Sequence, residues 1–97
     1  MKINIKKEIQ KISEHIYRYR RDFHQYPELS FQEYRTAETI SKHLKSFGIQ
    51  HRTGVGKTGI VGEIVFGDGP TIALRADMGA LPIQEVGDLK YLSLIHI

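Results

Sequence analysis

Two charged side chains, Arg75 and Asp77, follow the apolar residues 72–74 and precede Pro82. Because a proline cannot continue a central strand ladder, this pattern predicts a strand that ends at the charged pair. In open α/β sheets, ligands bind in the crevice beyond the carboxyl ends of the strands. Arg75 and Asp77 are therefore candidate catalytic or near-site residues. The same residues would also suit a surface ion pair between a strand end and a loop, and the pattern alone leaves both interpretations open.

Other residue types that do chemistry are absent or scattered. The chain has no cysteine, which excludes a disulfide framework and a thiolate ligand or nucleophile within these 97 residues. Its five histidines lack the close spacings, such as His-x-x-x-His, that typically hold zinc. We expect each to be a surface or structural residue and expect no metal ligand in this chain; they are His15, His24, His43, His51 and His96.

The first element that would position the site is predicted to be an amphipathic helix. Six apolar residues from Ile5 to Phe23 recur at steps of four and three, which places them on one face of a helix. We expect that face to pack against a sheet, because the pattern ends too early for a convincing coiled coil. Pro27 is expected to end the helix, since the residue before a proline is disfavoured in the α conformation.

A second helix is predicted to follow directly. Ser30 and Glu33 have the spacing of a capping box, and Leu29 and Tyr34 would form the accompanying hydrophobic staple. The acidic residues of this segment are therefore assigned to the start of a helix rather than to catalysis. Gly48 is expected to end the helix in the left-handed conformation.

Strand-like segments and turns fill the rest of the chain. We expect a short strand at residues 49–53, a loop at 54–59, and a hairpin of residues 60–66 and 71–76 that turns at 67–70. The order of elements predicts an α/β fold in which two N-terminal helices pack on a sheet that contains a β-hairpin.

Two separated motifs resemble the beginning of one enzyme family. The residues 24–33, His-Gln-Tyr-Pro-Glu-Leu-Ser-Phe-Gln-Glu, are followed at 74–85 by Leu-Arg-Ala-Asp-Met-Gly-Ala-Leu-Pro-Ile-Gln-Glu. Together they resemble the metal-dependent amidohydrolases and metallopeptidases that include aminoacylase, hippurate hydrolase, N-acetyl-diaminopimelate deacetylase and the indole-acetyl-amino-acid hydrolases. The resemblance covers about residues 9–93. It implies the start of a zinc-peptidase-like catalytic domain, spanning residues 1–91 here.

The resemblance also implies an activity, a cofactor and a site. Such enzymes hydrolyse an amide bond in N-acyl amino acids or small peptides with a divalent metal, zinc or manganese. Their ligands, in a Cys-Gly-His-Asp motif and at further glutamates and histidines, would lie downstream of residue 97, so this chain alone would be inactive. Asp77 matches a near-site carboxylate of the family, with Arg75 beside it, whereas Gly79 stands where relatives usually carry a second aspartate.

The resemblance decays at the end of the chain. Residues 92–97, Leu-Ser-Leu-Ile-His-Ile, do not follow the family pattern, and we expect them to be a non-native tail or a truncation. A lid or dimerisation domain is not represented, although the parent enzyme could be a homo-oligomer. Because charged residues leave no apolar segment for a signal peptide or a membrane span, we expect a cytoplasmic protein with a small-molecule substrate and no membrane partner.

Two further interpretations stay open from the residues alone. Residues 17–21, Tyr-Arg-Tyr-Arg-Arg, interleave aromatic and basic side chains as single-stranded nucleic-acid binders do. However, Tyr19 falls on the apolar face of the first helix, and we expect no nucleic-acid partner. The other interpretation is a non-catalytic structural fragment.

Overall fold

The computed structural model describes residues 2–83, 86 and 87. Two α-helices come first, α1 (Ile5–Gln25) and α2 (Tyr34–Ser46), and an antiparallel hairpin follows, made of β1 (Gln50–Val55) and β2 (Gly59–Glu63). The predicted combination of two N-terminal helices and a hairpin is confirmed. The proposed tail at residues 92–97 lies outside the described residues, as does His96.

Helix α1 has clear local causes at both ends. Asn4 caps its start, where the Asn4 Oδ1 atom accepts a hydrogen bond from the Lys7 backbone N–H at 3.2 Å. The helix ends at Gln25, and Tyr26 is the last cap residue before Pro27. The prediction that Pro27 ends this helix is confirmed.

The apolar face of α1 is only partly covered within the described residues. Tyr19 and Phe23 are half-buried, and the Tyr19 ring lies against the His43 ring of α2 with centroids 4.5 Å apart. The other apolar residues of the face are between 47% and 70% exposed: Ile5, Ile9, Ile12 and Ile16. The helix that packs on the hairpin is α2, so the expectation that α1 packs against the sheet is wrong for the described residues.

The predicted capping box at the start of α2 is wrong. Phe31 takes a left-handed conformation, with φ of 65°, which adds a turn before the helix and displaces Ser30 from the cap position. Glu33 occupies the N-cap without a side-chain cap hydrogen bond. Tyr34 becomes the first helical residue and is 68% exposed, so the expected staple with Leu29 is wrong too.

The end of α2 agrees with the prediction from Gly48. This residue is left-handed, with φ of 72°, and its N–H donates to the Lys45 carbonyl at 3.0 Å. The Ile49 N–H donates to the Leu44 carbonyl at 2.9 Å, which completes a Schellman motif. The motif turns the chain directly into β1.

The hairpin forms one connection earlier than predicted. Strand β2 pairs back to β1, with Gln50 opposite Glu63 and Arg52 opposite Val61. The pairing shifts between Arg52 and Val55, and Gly59 approaches so closely there that a Cβ atom on it would lie 2.5 Å from the Val55 carbonyl oxygen. The expected hairpin of residues 60–66 and 71–76 is therefore wrong, because the 56–58 turn joins β1 to β2 and residues 71–76 form no strand.

The described residues contain no buried apolar side chain. Their buried side chains are polar: Glu33, Thr36 and Thr58. Several apolar side chains after the hairpin are almost fully exposed, among them Phe66 at 95% and Leu74 at 97%. Caps and polar links, rather than a core, thus connect the described elements. Neither described helix is long and apolar enough to cross a membrane.

Candidate active site

Arg75 and Asp77 form an ion pair with each other. The Arg75 Nη2 atom lies 2.9 Å from Asp77 Oδ1, and the two side chains are 88% and 76% exposed. The pair lies in an extended segment that is not part of a strand, so the predicted strand end is wrong here. At this exposure the ion pair contributes little to stability, in the range of about 0–1 kcal/mol.

The segment that carries Asp77 is anchored three residues later. The Ala80 N–H donates to the Glu28 carbonyl oxygen at 2.7 Å, and Leu29 and Ala80 form an isolated parallel bridge. Met78 and Ala80 are half-buried, in contrast to the exposed residues before them. The two motifs noted in the sequence therefore meet at this bridge.

Gly79 lies tightly against the first motif. A Cβ atom at this position would lie 3.0 Å from Ser30 Oγ and 3.4 Å from the Ser30 Cα and N atoms. Any side chain at position 79 would require Ser30 to shift by a few tenths of an ångström. The close approach gives a local reason for glycine at a position where the family resemblance leads one to expect aspartate.

The Glu28 carboxylate caps helix α2 from outside. Its Oε1 atom accepts from the Thr36 N–H at 2.6 Å, and its Oε2 atom accepts from the Arg35 N–H at 3.0 Å. These N–H groups belong to the first turn, where they have no partner within the helix. Sequence reasoning assigned this segment to a helix start but chose Ser30 as the cap.

The Glu28 carboxyl has a shifted acidity. Burial raises its pKa, but hydrogen bonds from the Thr36 N–H, the Thr36 side chain and the Arg35 N–H lower it, as does the Arg35 charge. The net result is a pKa below the ordinary value of 4.5. The carboxylate form that caps the helix is thus the favoured one.

Arg35 fastens the end of α1 to the start of α2. Its Nη2 atom lies 2.8 Å and 3.0 Å from the two carboxylate oxygens of Asp22, and its guanidinium lies 4.2 Å from the Tyr26 ring centroid. The Arg35 Nη1 atom is buried and has no hydrogen-bond partner among the residues that the structure describes. The charge, the aromatic face and the capped N-terminus together set the angle of the turn between the helices.

Two of the histidines make contacts within and between α1, α2 and β1. His51 Nε2 is 2.7 Å from Ser41 Oγ and its Nδ1 is 2.9 Å from the Ile49 carbonyl oxygen, so the ring links β1 to α2. His43 lies between the rings of Tyr19 and Phe47. Within residues 2–83, 86 and 87, no group of three His, Cys, Asp or Glu side chains could hold a metal ion.

Two surface clefts lie away from the ion pair. One, of about 660 Å³, is lined by residues that include Lys45, His51 and Arg52, and another, of about 560 Å³, follows residues 63–72. Neither is lined by Arg75 or Asp77. The candidate site in this chain is therefore the anchored segment 75–80 rather than a closed pocket.

Curated proteins that are similar to this chain are hydrolases by name. Thermostable carboxypeptidase 1 of Saccharolobus solfataricus is 41% identical over 93 residues, which covers 94% of this chain and 24% of the relative. N-acetyl-L-cysteine deacetylase of Bacillus subtilis is 52% identical over 75 residues, 76% of this chain and 18% of the relative. IAA-amino acid hydrolase ILR1-like 6 of Arabidopsis thaliana is 45% identical over 78 residues, 80% of this chain and 17% of the relative.

These matches show which proteins the chain is similar to. It is homologous to amidohydrolases, deacetylases and carboxypeptidases, and the resemblance carried by the two motifs is confirmed. The chain spans about a quarter, or less, of the length of the curated relatives it matches. No family model and no solved structure matches it.

Proposed function

We propose that this chain forms the N-terminal part of the catalytic domain of a metal-dependent amidohydrolase. Its substrate class is N-acyl amino acids or small peptides, from which the enzyme releases an amino acid by hydrolysis of an amide bond. The observation that carries the proposal is the similarity to three relatives whose names all describe acyl-amino-acid or peptide hydrolysis. The match runs through both motifs rather than through one.

Asp77 is the residue that we assign to the neighbourhood of the reaction, with Arg75 beside it. Both side chains are largely exposed among the described residues, so neither is part of a packed core. The described residues alone do not fit a metal centre, because no three of their His, Cys, Asp or Glu side chains form a group that could hold a metal ion. We therefore propose that the ligands of the zinc or manganese ion come from the part of the enzyme that corresponds to the portion of the relatives not matched by this chain.

A hybrid enzyme tests the proposal. In it, residues 2–83 of this chain replace the matching residues of the S. solfataricus carboxypeptidase, which shares 41% identity with the chain. We expect the hybrid to release amino acids from N-acyl amino acids or short peptides, to lose this activity with a chelator, and to regain it with zinc or manganese. The 97-residue chain alone is the control and should show no hydrolysis.

A hybrid that is folded, as shown by the circular dichroism of the parent carboxypeptidase, but that hydrolyses none of these substrates with either metal would contradict the proposal. Salt-sensitive binding of a single-stranded oligonucleotide by the chain would instead favour the basic residues 17–21 as its functional surface. The contact of the Tyr19 ring with His43 argues against that surface, since it leaves one aromatic fewer for stacking.

A further inference from the structure

We infer that Glu28 is a positioning residue, which holds the Asp77 segment at a set place relative to helix α2. This inference rests on the proposed function, because it concerns the placement of the candidate site residue. Glu28 itself is assigned no part in the reaction.

The side chain of Glu28 fixes its own backbone to α2. Two hydrogen bonds, 2.6 Å to the Thr36 N–H and 3.0 Å to the Arg35 N–H, are accepted by different oxygens of one carboxylate. Such a two-point contact sets both the distance and the orientation of the carboxyl group. Residue 28 therefore cannot move relative to the first turn of α2 without breaking at least one of them.

The backbone of Glu28 then fixes the second motif. Its carbonyl oxygen accepts from the Ala80 N–H at 2.7 Å, only three residues after Asp77. The same two segments also meet at the Leu29–Ala80 bridge and at the close approach of Gly79 to Ser30. One residue thus connects the start of α2, through its side chain, to the candidate site segment, through its main chain.

A simpler role, in which Glu28 only stabilises α2, predicts different results. In that case, another substitution that weakens α2 as much as the loss of the Glu28 side chain does should affect the site segment to the same extent. Gly48 offers the matched control, since it ends the same helix at the opposite end and a Cβ atom added there would meet nothing within 4 Å. Gly48→Ala places a side chain at φ of 72° and should destabilise α2 without touching the site segment.

The first measurement uses the 97-residue chain and is independent of any activity. We expect Glu28→Ala to raise the hydrogen-exchange rate of the Ala80 amide at least tenfold relative to amides of the β1–β2 hairpin. Glu28→Gln keeps one acceptor oxygen and should raise it about threefold. Gly48→Ala should leave the ratio of the Ala80 exchange rate to that of the hairpin amides unchanged. Unchanged exchange at Ala80 in Glu28→Ala would overturn the inference.

The second measurement uses the hybrid enzyme. There Glu28→Ala should lower kcat about tenfold with KM within twofold, and Glu28→Gln should recover about a third of the lost activity. Gly48→Ala should lower the melting temperature by about as much as Glu28→Ala does, but it should leave kcat unchanged. Equal losses of kcat in Gly48→Ala and Glu28→Ala would overturn the inference, whereas an inactive unsubstituted hybrid would contradict the proposed function and leave the exchange result to decide the positioning.

Discussion

At the scale of single residues, the first motif acts through Glu28. Its carboxylate replaces the side-chain cap that α2 lacks at Glu33, and it does so from five residues earlier in the chain. The acid that a sequence comparison draws attention to is therefore a structural acceptor. Glu28 thus shows that a polar residue of a motif near a site can hold the backbone in place without taking part in a reaction.

The acidity of Glu28 leads to a prediction about pH. Its folded-state pKa lies below 4.5, so its contribution to stability is fully present above pH 4.5 and is lost as the pH falls through the folded value. Glu28→Gln should lower the free energy of unfolding by about 1 kcal/mol at pH 7, and by less at pH 3. Urea unfolding at both pH values measures this.

The nearby charges and a control belong to the same experiment. Arg35 faces Glu28 and is paired with Asp22, and the Arg35–Asp22 pair is present in both proteins, so it cancels in the comparison. Glu8→Gln, which changes an exposed acid of α1, should cost little at either pH. An equal effect of Glu28→Gln at pH 3 and pH 7 would contradict the assignment.

Gly79 gives a second prediction at this scale. Gly79→Ala should lower the free energy of unfolding by about 1 kcal/mol, because the new Cβ atom meets Ser30 Oγ at 3.0 Å. Ser30→Ala in the same chain should restore part of the loss, since it removes the nearest atom. Gly69→Ala is the control, as a Cβ atom there meets nothing within 4 Å. Additive effects of the two substitutions would contradict the contact.

At the scale of elements, the hairpin turn is joined to the start of α2. The Thr58 Oγ1 atom donates to Glu33 Oε1 at 3.3 Å, and both side chains are buried. Thr58→Val removes the donor and leaves a buried carboxylate with one partner fewer, so we expect a loss of about 1–3 kcal/mol. Thr53→Val changes an exposed residue of β1 and should be nearly neutral. Thermal unfolding of both variants distinguishes the two sites.

The limits of prediction also appear at this scale. Pro27 and Gly48 act on their own neighbours, so the ends of both helices could be predicted from the sequence. The cap from Glu28 depends on a left-handed Phe31, for which a phenylalanine carries no signal. The glycine content of segments 54–59 and 67–70 favours a turn in both, so the local sequence does not show which of them closes the hairpin, and strand pairing decides.

The surroundings of the candidate site do not follow from the local sequence. Arg75 and Asp77 are predicted at a strand end, whereas the structure places them in an exposed, non-strand segment. The bridge between Leu29 and Ala80 joins residues 51 positions apart, and no local sequence pattern predicts it. Contacts at this separation depend on the whole arrangement of elements, which is why the partner of the site segment could not be read from the motifs.

At the scale of the whole molecule, the exposed apolar surface is the main feature. It extends along α1 and over the segment after β2, where Phe66, Ile72 and Leu74 are at least 85% exposed. We expect the 97-residue chain to bind a dye that reports apolar surface, such as anilinonaphthalene sulfonate, more strongly per mole than the hybrid enzyme does. Fluorescence titration measures this, and equal binding by both would contradict the idea that the hybrid covers these faces.

We propose that Asp77 lies beside the reacting groups of a metal-dependent hydrolase. The most direct test is the metal content and turnover of the hybrid with Asp77→Asn, compared with Asp68→Asn in the neighbouring exposed loop. Because a carboxylate next to a metal ligand orients it, we predict that Asp77→Asn lowers metal occupancy or kcat at least tenfold while Asp68→Asn changes neither. Unchanged metal content and kcat in Asp77→Asn would contradict the claim.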